Sequence, residues 1–222
     1  MPGKTATLIG ATGMIGNYLR EMLWKSEQFD IIRLIVRRPV EKKDLKEEIK
    51  LVDFSNTESF KLAIEGTDTL FCCIGTTNKK VKGDNTLYHA IDHDIPANAA
   101  RYCKETGCGK FIIITSVGAN AKSRNFYLRL KGEVEDAIKA NGPASIHVFQ
   151  PGMLLGKREE KRRGEKFMQG LTRFLSGALF GSLRKYRSIQ GKTVAKAMLN
   201  AAKKEDNGFF VYTYDQIKKL AE

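Results

Sequence analysis

The sequence predicts a doubly wound α/β fold, a parallel sheet covered by helices on both faces, with a small cap at its C-terminal end. Short, nearly all-apolar runs alternate with helix-patterned segments through the first 150 residues, the rhythm of repeated strand–helix units. Several of those runs are apolar at successive positions rather than at every second one. Both faces of such strands are buried, as in a parallel sheet sandwiched between helices. The chain has 222 residues, 42% of them apolar, enough for one domain with a sizeable core and too few for two large ones.

Taken in order, strands are expected at Thr5–Ile9, Ile31–Val36, Ile49–Val52, Thr69–Ile74, Lys110–Thr115 and Ser145–Phe149. Helices are expected between them at Met14–Lys25, Thr57–Ile64, Leu87–Thr106 and Phe126–Ala140. In the last of these, Tyr127, Leu130, Val134, Ala137 and Ile138 recur at helical spacing. The alternation stops after Phe149. Pro151-Gly152 opens a basic, glycine-containing stretch, followed by a helix near Thr193–Lys203, a strand at Phe209–Tyr212 and a terminal helix. Residues 1–150 form the expected dinucleotide-binding core. Residues 151–222 form a cap and substrate region over the carboxyl edge of the sheet, all within a single domain 1–222.

Thirty-eight basic residues against twenty-five acidic give a net charge of +13, which draws phosphate-bearing partners in general. Ten of the basic and three of the acidic residues lie between Lys157 and Arg187, so seven of the thirteen excess charges fall there. The mixed-sign run Lys157 to Arg163 reads as a surface loop; no aromatic residues interleave with it and no recognition motif accompanies it, which argues against nucleic acid. No stretch reaches the roughly 18 apolar residues of a membrane span, and with no secretory pattern after Met1 the chain is expected in the cytoplasm. Cys72, Cys73, Cys103 and Cys108 lack zinc-site spacing and read as reduced core thiols. His89 and His93 stand four apart on an expected helix with Asp92 between them. The sequence shows no third ligand, so a solvated helix face is expected and no metal is assigned.

Gly10-Ala11-Thr12-Gly13-Met14-Ile15-Gly16 follows the first strand directly and opens a helix, the context in which a glycine-rich loop binds a dinucleotide in a Rossmann-like fold. Gly10 permits the tight turn, Gly13 lets the backbone approach a pyrophosphate, and Gly16 lets helix and strand pack. The helix's free N–H groups and dipole hold the negative charge, with Thr12, Gly13, Met14 and Ile15 as the expected contacts. The second strand ends Val36-Arg37-Arg38, with no acid to hold the 2′-hydroxyl of NAD and two guanidinium groups suited to the 2′-phosphate of NADP(H). Asp53 and Phe54, past the third strand, are expected at the adenine, with a helix cap as the other role open to Asp53. Ile74, Gly75 and Thr76, past the fourth, are expected beside the cofactor's middle.

Ser116 ends the fifth strand, and Tyr127 and Lys131, four apart near the start of the next helix, project from one face toward it. Reducing a carbonyl takes a hydride from one side and a proton to the developing alkoxide. A phenol beside a cation can supply that proton near neutral pH. Tyr127 is the expected acid, Lys131 its tuner and ribose anchor, and Ser116 the donor to the substrate oxygen.

Four stretches extend this constellation: Phe71-Cys72-Cys73-Ile74-Gly75-Thr76-Thr77, Ser116-Val117-Gly118-Ala119-Asn120, Tyr127-Leu128-Arg129-Leu130-Lys131-Gly132-Glu133-Val134-Glu135 and Pro151-Gly152-Met153-Leu154-Leu155. With the glycine loop they span most of the chain. They resemble an atypical short-chain dehydrogenase/reductase similar to the Tat-interacting protein family of NADPH-binding oxidoreductases. The resemblance implies an NADP(H)-binding fold, Ser116, Tyr127 and Lys131 in the triad places, and Pro151-Gly152 beside the nicotinamide. Two features depart from the pattern: Gln150 replaces an arginine before Pro-Gly, and Ser116 precedes Tyr127 by only eleven positions.

Two functions follow from different classes. One is an NADP(H)-dependent reductase of a small carbonyl compound. The other is an NADPH-binding sensor without turnover, whose occupancy orders the cap and exposes or hides a surface for a protein partner. The segment from about 156 to 190, which would shape the substrate pocket, carries no specificity motif.

Overall fold

The computed structural model describes residues 3–156 and 180–222; the basic run 157–163, read as a surface loop, and most of the segment expected to shape the substrate pocket lie outside the described residues. The main strands are β1 Thr5–Ile9, β2 Ile31–Val36, β3 Glu47–Leu51, β4 Thr69–Cys72, β5 Lys110–Ile114, β6 Ser145–Phe149 and, past a short pair, β9 Gly208–Tyr212. They form one parallel sheet in the order β3-β2-β1-β4-β5-β6-β9. The short pair, β7 Leu154–Leu155 against β8 Ile189–Gln190, joins the start of the expected cap to a segment midway along it. Too brief to carry a hydrophobic period, it has no counterpart in the sequence pattern.

Strand alternation divides the apolar residues between two cores. Ala6, Leu8, Phe71, Ile112 and Phe149 face one core, together with buried residues of α1 Met14–Trp24 and, later in the chain, α6 Gly191–Ala202 and α7 Tyr214–Leu220. Ile9, Leu70, Cys72, Phe111, Ile113 and Val148 face the other, under α2 Thr57–Ile64, α4 Ile95–Glu105 and α5 Phe126–Asn141. Ile9 lies opposite Ile35 on one side and Cys72 on the other. The chain therefore winds outward from β1 through β2 to β3 and then crosses back to β4 on the other side of β1, and the crevice where ligands bind in such sheets opens at the strands' carboxyl ends there.

Two elements depart from the expected boundaries for physical reasons. β3 starts at Glu47, ahead of the apolar run, because the buried Glu47 carboxylate is paired with the buried Arg20 guanidinium at 2.5 Å; hydropathy alone does not find a strand that begins on a glutamate. The single helix expected over Leu87–Thr106 is α3 Asn85–His89, a π-turn Ala90–Asp94 and α4. Pro96 in the first turn of α4 has no N–H to give the carbonyl four residues back. Just ahead of it the ladder widens, with Ile95 N–H bonded to the Ala90 carbonyl.

Candidate functional site

The loop after β1 is built as its glycines require. Gly10 has φ of +86°, and a Cβ there would lie 2.6 Å from the Cys73 backbone; a Cβ on Gly16 would lie 2.1 Å from the Gly10 carbonyl oxygen. Both positions exclude a side chain. Gly13 is different: its nearest neighbour for a Cβ is the Gly10 oxygen at 3.3 Å, so the space above it is open on the cleft side. Gly13 is also the N-cap of α1, which has no side-chain cap and no acid in its first turn. Its leading N–H groups are thus left for an external anion.

The crevice contains two connected cavities. One, of about 410 Å³, is lined by Gly10, Thr12, Gly13, Arg37, Arg38, Phe54, Ile74, Gly75 and Thr76, among others. The second, of about 430 Å³, shares Thr12, Gly13 and Ile74 to Thr76, and adds Met14, Ile15, Thr115, Tyr127, Lys131 and Leu154. The shared residues make them one groove, with the two arginines at one end and the tyrosine and lysine at the other. A Cβ on Gly75 would meet only Asp92 Oδ1, at 3.8 Å, so the groove is open along its middle. Its length, uncapped helix end and glycine floor fit a dinucleotide.

Tyr127 is 38% exposed and its ring centroid lies 5.9 Å from Lys131 Nζ. Lys131 is buried and committed: Nζ donates to Asp92 Oδ1 at 2.8 Å, and the other Asp92 oxygen accepts from Thr76 N–H at 2.7 Å. Asp92 is 1% exposed, which corrects the expected solvated face between His89 and His93; the π-turn carries it inward. It ties the lysine to the loop that floors the groove. Two sequence signals could have found it: Pro96 marks a break in the helix, and a lysine expected inside a cleft calls for a carboxylate partner.

Other expected residues lie elsewhere. Asp53 is exposed and accepts from Ser55 N and Oγ at 2.9 and 2.7 Å, which holds its carboxyl below the usual range. It lines a third cavity with Arg37, Phe54 and Ile95, which also border the groove, and the cap of α2 is Asn56, which accepts from Ser59 N–H. Ser116 is not among the residues lining the groove; its Oγ reaches only the Val117 carbonyl, at 3.5 Å. Pro151 accepts from Val117 N–H at 3.1 Å. A Cβ on Gly152 would lie 2.5 Å from the Arg187 carbonyl, so this glycine seats the cap segment, and Leu154 forms the groove wall instead. Gln150 Nε2 donates to both oxygens of Glu135, at 3.0 and 2.9 Å, and Thr115 Oγ1 lies 2.5 Å from one of them. Burial raises the Glu135 pKa despite the hydrogen bonds from Thr115 and Gln150.

A parallel sheet whose winding reverses beside a glycine loop, with a tyrosine and a lysine at the far end of the groove, defines an oxidoreductase-like dinucleotide-binding protein of the Rossmann type. The chain belongs to the NAD(P)H-binding family, whose model matches residues 10–205. It is 34% identical over 206 residues to Protein HTATIP2 of Rattus norvegicus, across 90% of this chain and 81% of that one. It is 30% identical over 209 residues to Protein fmp52, mitochondrial, of Emericella nidulans, across 90% and 88%. The resemblance read from the motifs therefore holds. Among solved structures, MoeE5 in complex with UDP-glucuronic acid and NAD superposes with a TM-score of 0.71 at 16% identity, over 93% of this chain and 75% of that one. The Bordetella bronchiseptica enzyme WbmH in complex with NAD+ does so at 0.71 and 15%, over 98% and 79%. These two share the fold. The fungal relative is named mitochondrial, so the cytoplasmic expectation is not carried by these relatives. Among the described residues no helix is long and apolar enough to cross a membrane.

Proposed function

We propose that the chain is an NADP(H)-dependent oxidoreductase that reduces a small carbonyl compound, with Tyr127 as its proton donor. The observation that carries this is the single groove that has Arg37 and Arg38 at one end, Tyr127 and Lys131 at the other, and the open glycine floor between. The loop Gly10 to Gly16 would hold the pyrophosphate, Arg37 and Arg38 the 2′-phosphate, Phe54 the adenine, and Ile74 to Thr76 the middle of the cofactor. The chemistry the cofactor supplies when bound is hydride transfer. Tyr127 gives its phenolic proton to the alkoxide that develops on the substrate. Lys131, held by Asp92, stands with its Nζ 5.9 Å from the centroid of that ring. Thr115 lines the groove but is engaged with Glu135; Ser116, the expected donor to the substrate oxygen, lies just off the groove wall and would have to turn toward it to act.

Calorimetric titration tests the cofactor choice. Charge-assisted hydrogen bonds contribute roughly 1.5–3 kcal/mol each, so NADPH should bind about tenfold to a hundredfold more tightly than NADH. Replacing Arg37 and Arg38 together by alanine should erase that preference. Equal affinities in the wild type, or a preference unchanged in the double variant, would overturn the assignment.

A further inference from the structure

The π-turn that sends Asp92 inward brings a second cluster together on the outside. In an α-helix, with 3.6 residues per turn, a residue five positions on lies about 140° around the axis. The i→i+5 ladder of a π-turn instead sets it almost above the first. His89, His93 and Asp94 occupy this stretch. Asp94 Oδ1 lies 2.8 Å from His93 Nδ1 and 3.1 Å from His89 Nδ1, and the two imidazole centroids are 4.3 Å apart. One ligand atom from each of the three can be chosen so that all lie within 4.8 Å of one another. The His93 side chain is 20% exposed, and those of His89 and Asp94 are 43% and 50%, so the cluster is open to an incoming ion on one side.

We propose that His89, His93 and Asp94 form a binding site for a divalent cation of the zinc class, separate from the dinucleotide groove. Two imidazoles and a carboxylate are a nitrogen-rich set that suits zinc and its neighbours rather than calcium or magnesium, which take oxygen ligands. Zinc bonds to such atoms at roughly 2.0–2.2 Å, so tetrahedral ligand atoms stand about 3.3 Å apart. The two short separations already approach that spacing, and small rotations of the rings and carboxylate complete it. The ion takes the place of protons on imidazole nitrogen, which are released to solvent, and the fourth position is left to water.

The test uses the full chain without a polyhistidine tag, titrated with Zn2+ by calorimetry and with Co2+ by visible absorption. The expected result is saturable binding of one ion per chain, with proton release and a cobalt spectrum free of a sulfur-to-metal band. His93→Ala and Asp94→Asn, checked for folding by circular dichroism, should each weaken Zn2+ binding by about tenfold or more. Should either fail to fold, the wild-type cobalt spectrum and broadening of the His89 and His93 ring resonances by Co2+ decide the matter. No saturable binding, an intense sulfur-to-cobalt band, or affinity unchanged in His89→Ala/His93→Ala would overturn the proposal and leave the three residues as a hydrogen-bonded group.

Discussion

Gly13, the N-cap of α1, and Gly16, in its first turn, stand three residues apart and meet different surroundings. Gly16 has no room for a Cβ against the Gly10 carbonyl, whereas at Gly13 a Cβ would make only a tight contact with the Gly10 oxygen, at 3.3 Å, and would border the groove where a pyrophosphate would sit. Gly13→Val is therefore expected to cost about 1 kcal/mol of stability, as for loss of a tolerant N-cap residue, and to abolish NADPH binding; calorimetry with a thermal unfolding control checks both. The Lys131–Asp92 pair gives a second expectation. Removing one partner of a buried ion pair typically costs about 3–5 kcal/mol, so Lys131→Ala should be strongly destabilised, and Asp92→Asn/Lys131→Met should recover most of that loss in urea denaturation. Full stability in Lys131→Ala would contradict the pairing. At this scale the glycine loop, Tyr127 and Lys131 were legible because each follows a fixed spacing from a strand or helix start. Asp92 was not, because a local widening of the helix, rather than its place in a periodic pattern, turns it inward.

Among the elements, β6 and β9 carry a buried polar group that sets a pH dependence. His147 is fully buried; its Nδ1 lies 2.9 Å from the Tyr212 hydroxyl and its Nε2 3.1 Å from Ser145 Oγ. Burial pushes its pKa down to about 4 from 6.5, despite the opposing charge of Asp206. The unfolded chain binds the proton more readily than the folded one. The stability held by the neutral ring is thus present above about pH 6.5 and is lost as the pH falls toward 4. Between pH 7 and pH 5 this should remove about 2 kcal/mol, and His147→Gln should flatten that part of the profile in urea denaturation series. The inner strands were legible because their runs are apolar on both faces. β3 was only partly so, since Glu47, Glu48 and Lys50 interrupt its apolar character, and the buried Arg20–Glu47 pair that anchors it is a tertiary contact.

Across the whole molecule, the cap and the dinucleotide loop meet at one side chain. A Cβ on Gly191 would lie 2.8 Å from Met14 Sδ, and one on Gly156 would lie 3.1 Å from it. Gly156, just past β7, and Gly191, at the start of α6, therefore both approach the residue that opens α1. The sequence shows a change at residue 150, where strand–helix alternation stops, yet β9, α6 and α7 from beyond it join the main sheet and its core; the contact at Met14 was not legible, because the residues involved are far apart in the chain and carry no mutual pattern. The proposed turnover would draw on all these parts together. It is measured most directly as NADPH oxidation with a panel of small aldehydes and ketones, by the wild type and by Tyr127→Phe, which removes one hydroxyl and keeps the ring. The expected result is carbonyl-dependent turnover by the wild type and a fall of about 10²–10⁴-fold in the variant, with NADPH affinity unchanged. Reduction that survives Tyr127→Phe undiminished, or a wild type that binds NADPH tightly and turns over no carbonyl, would contradict it.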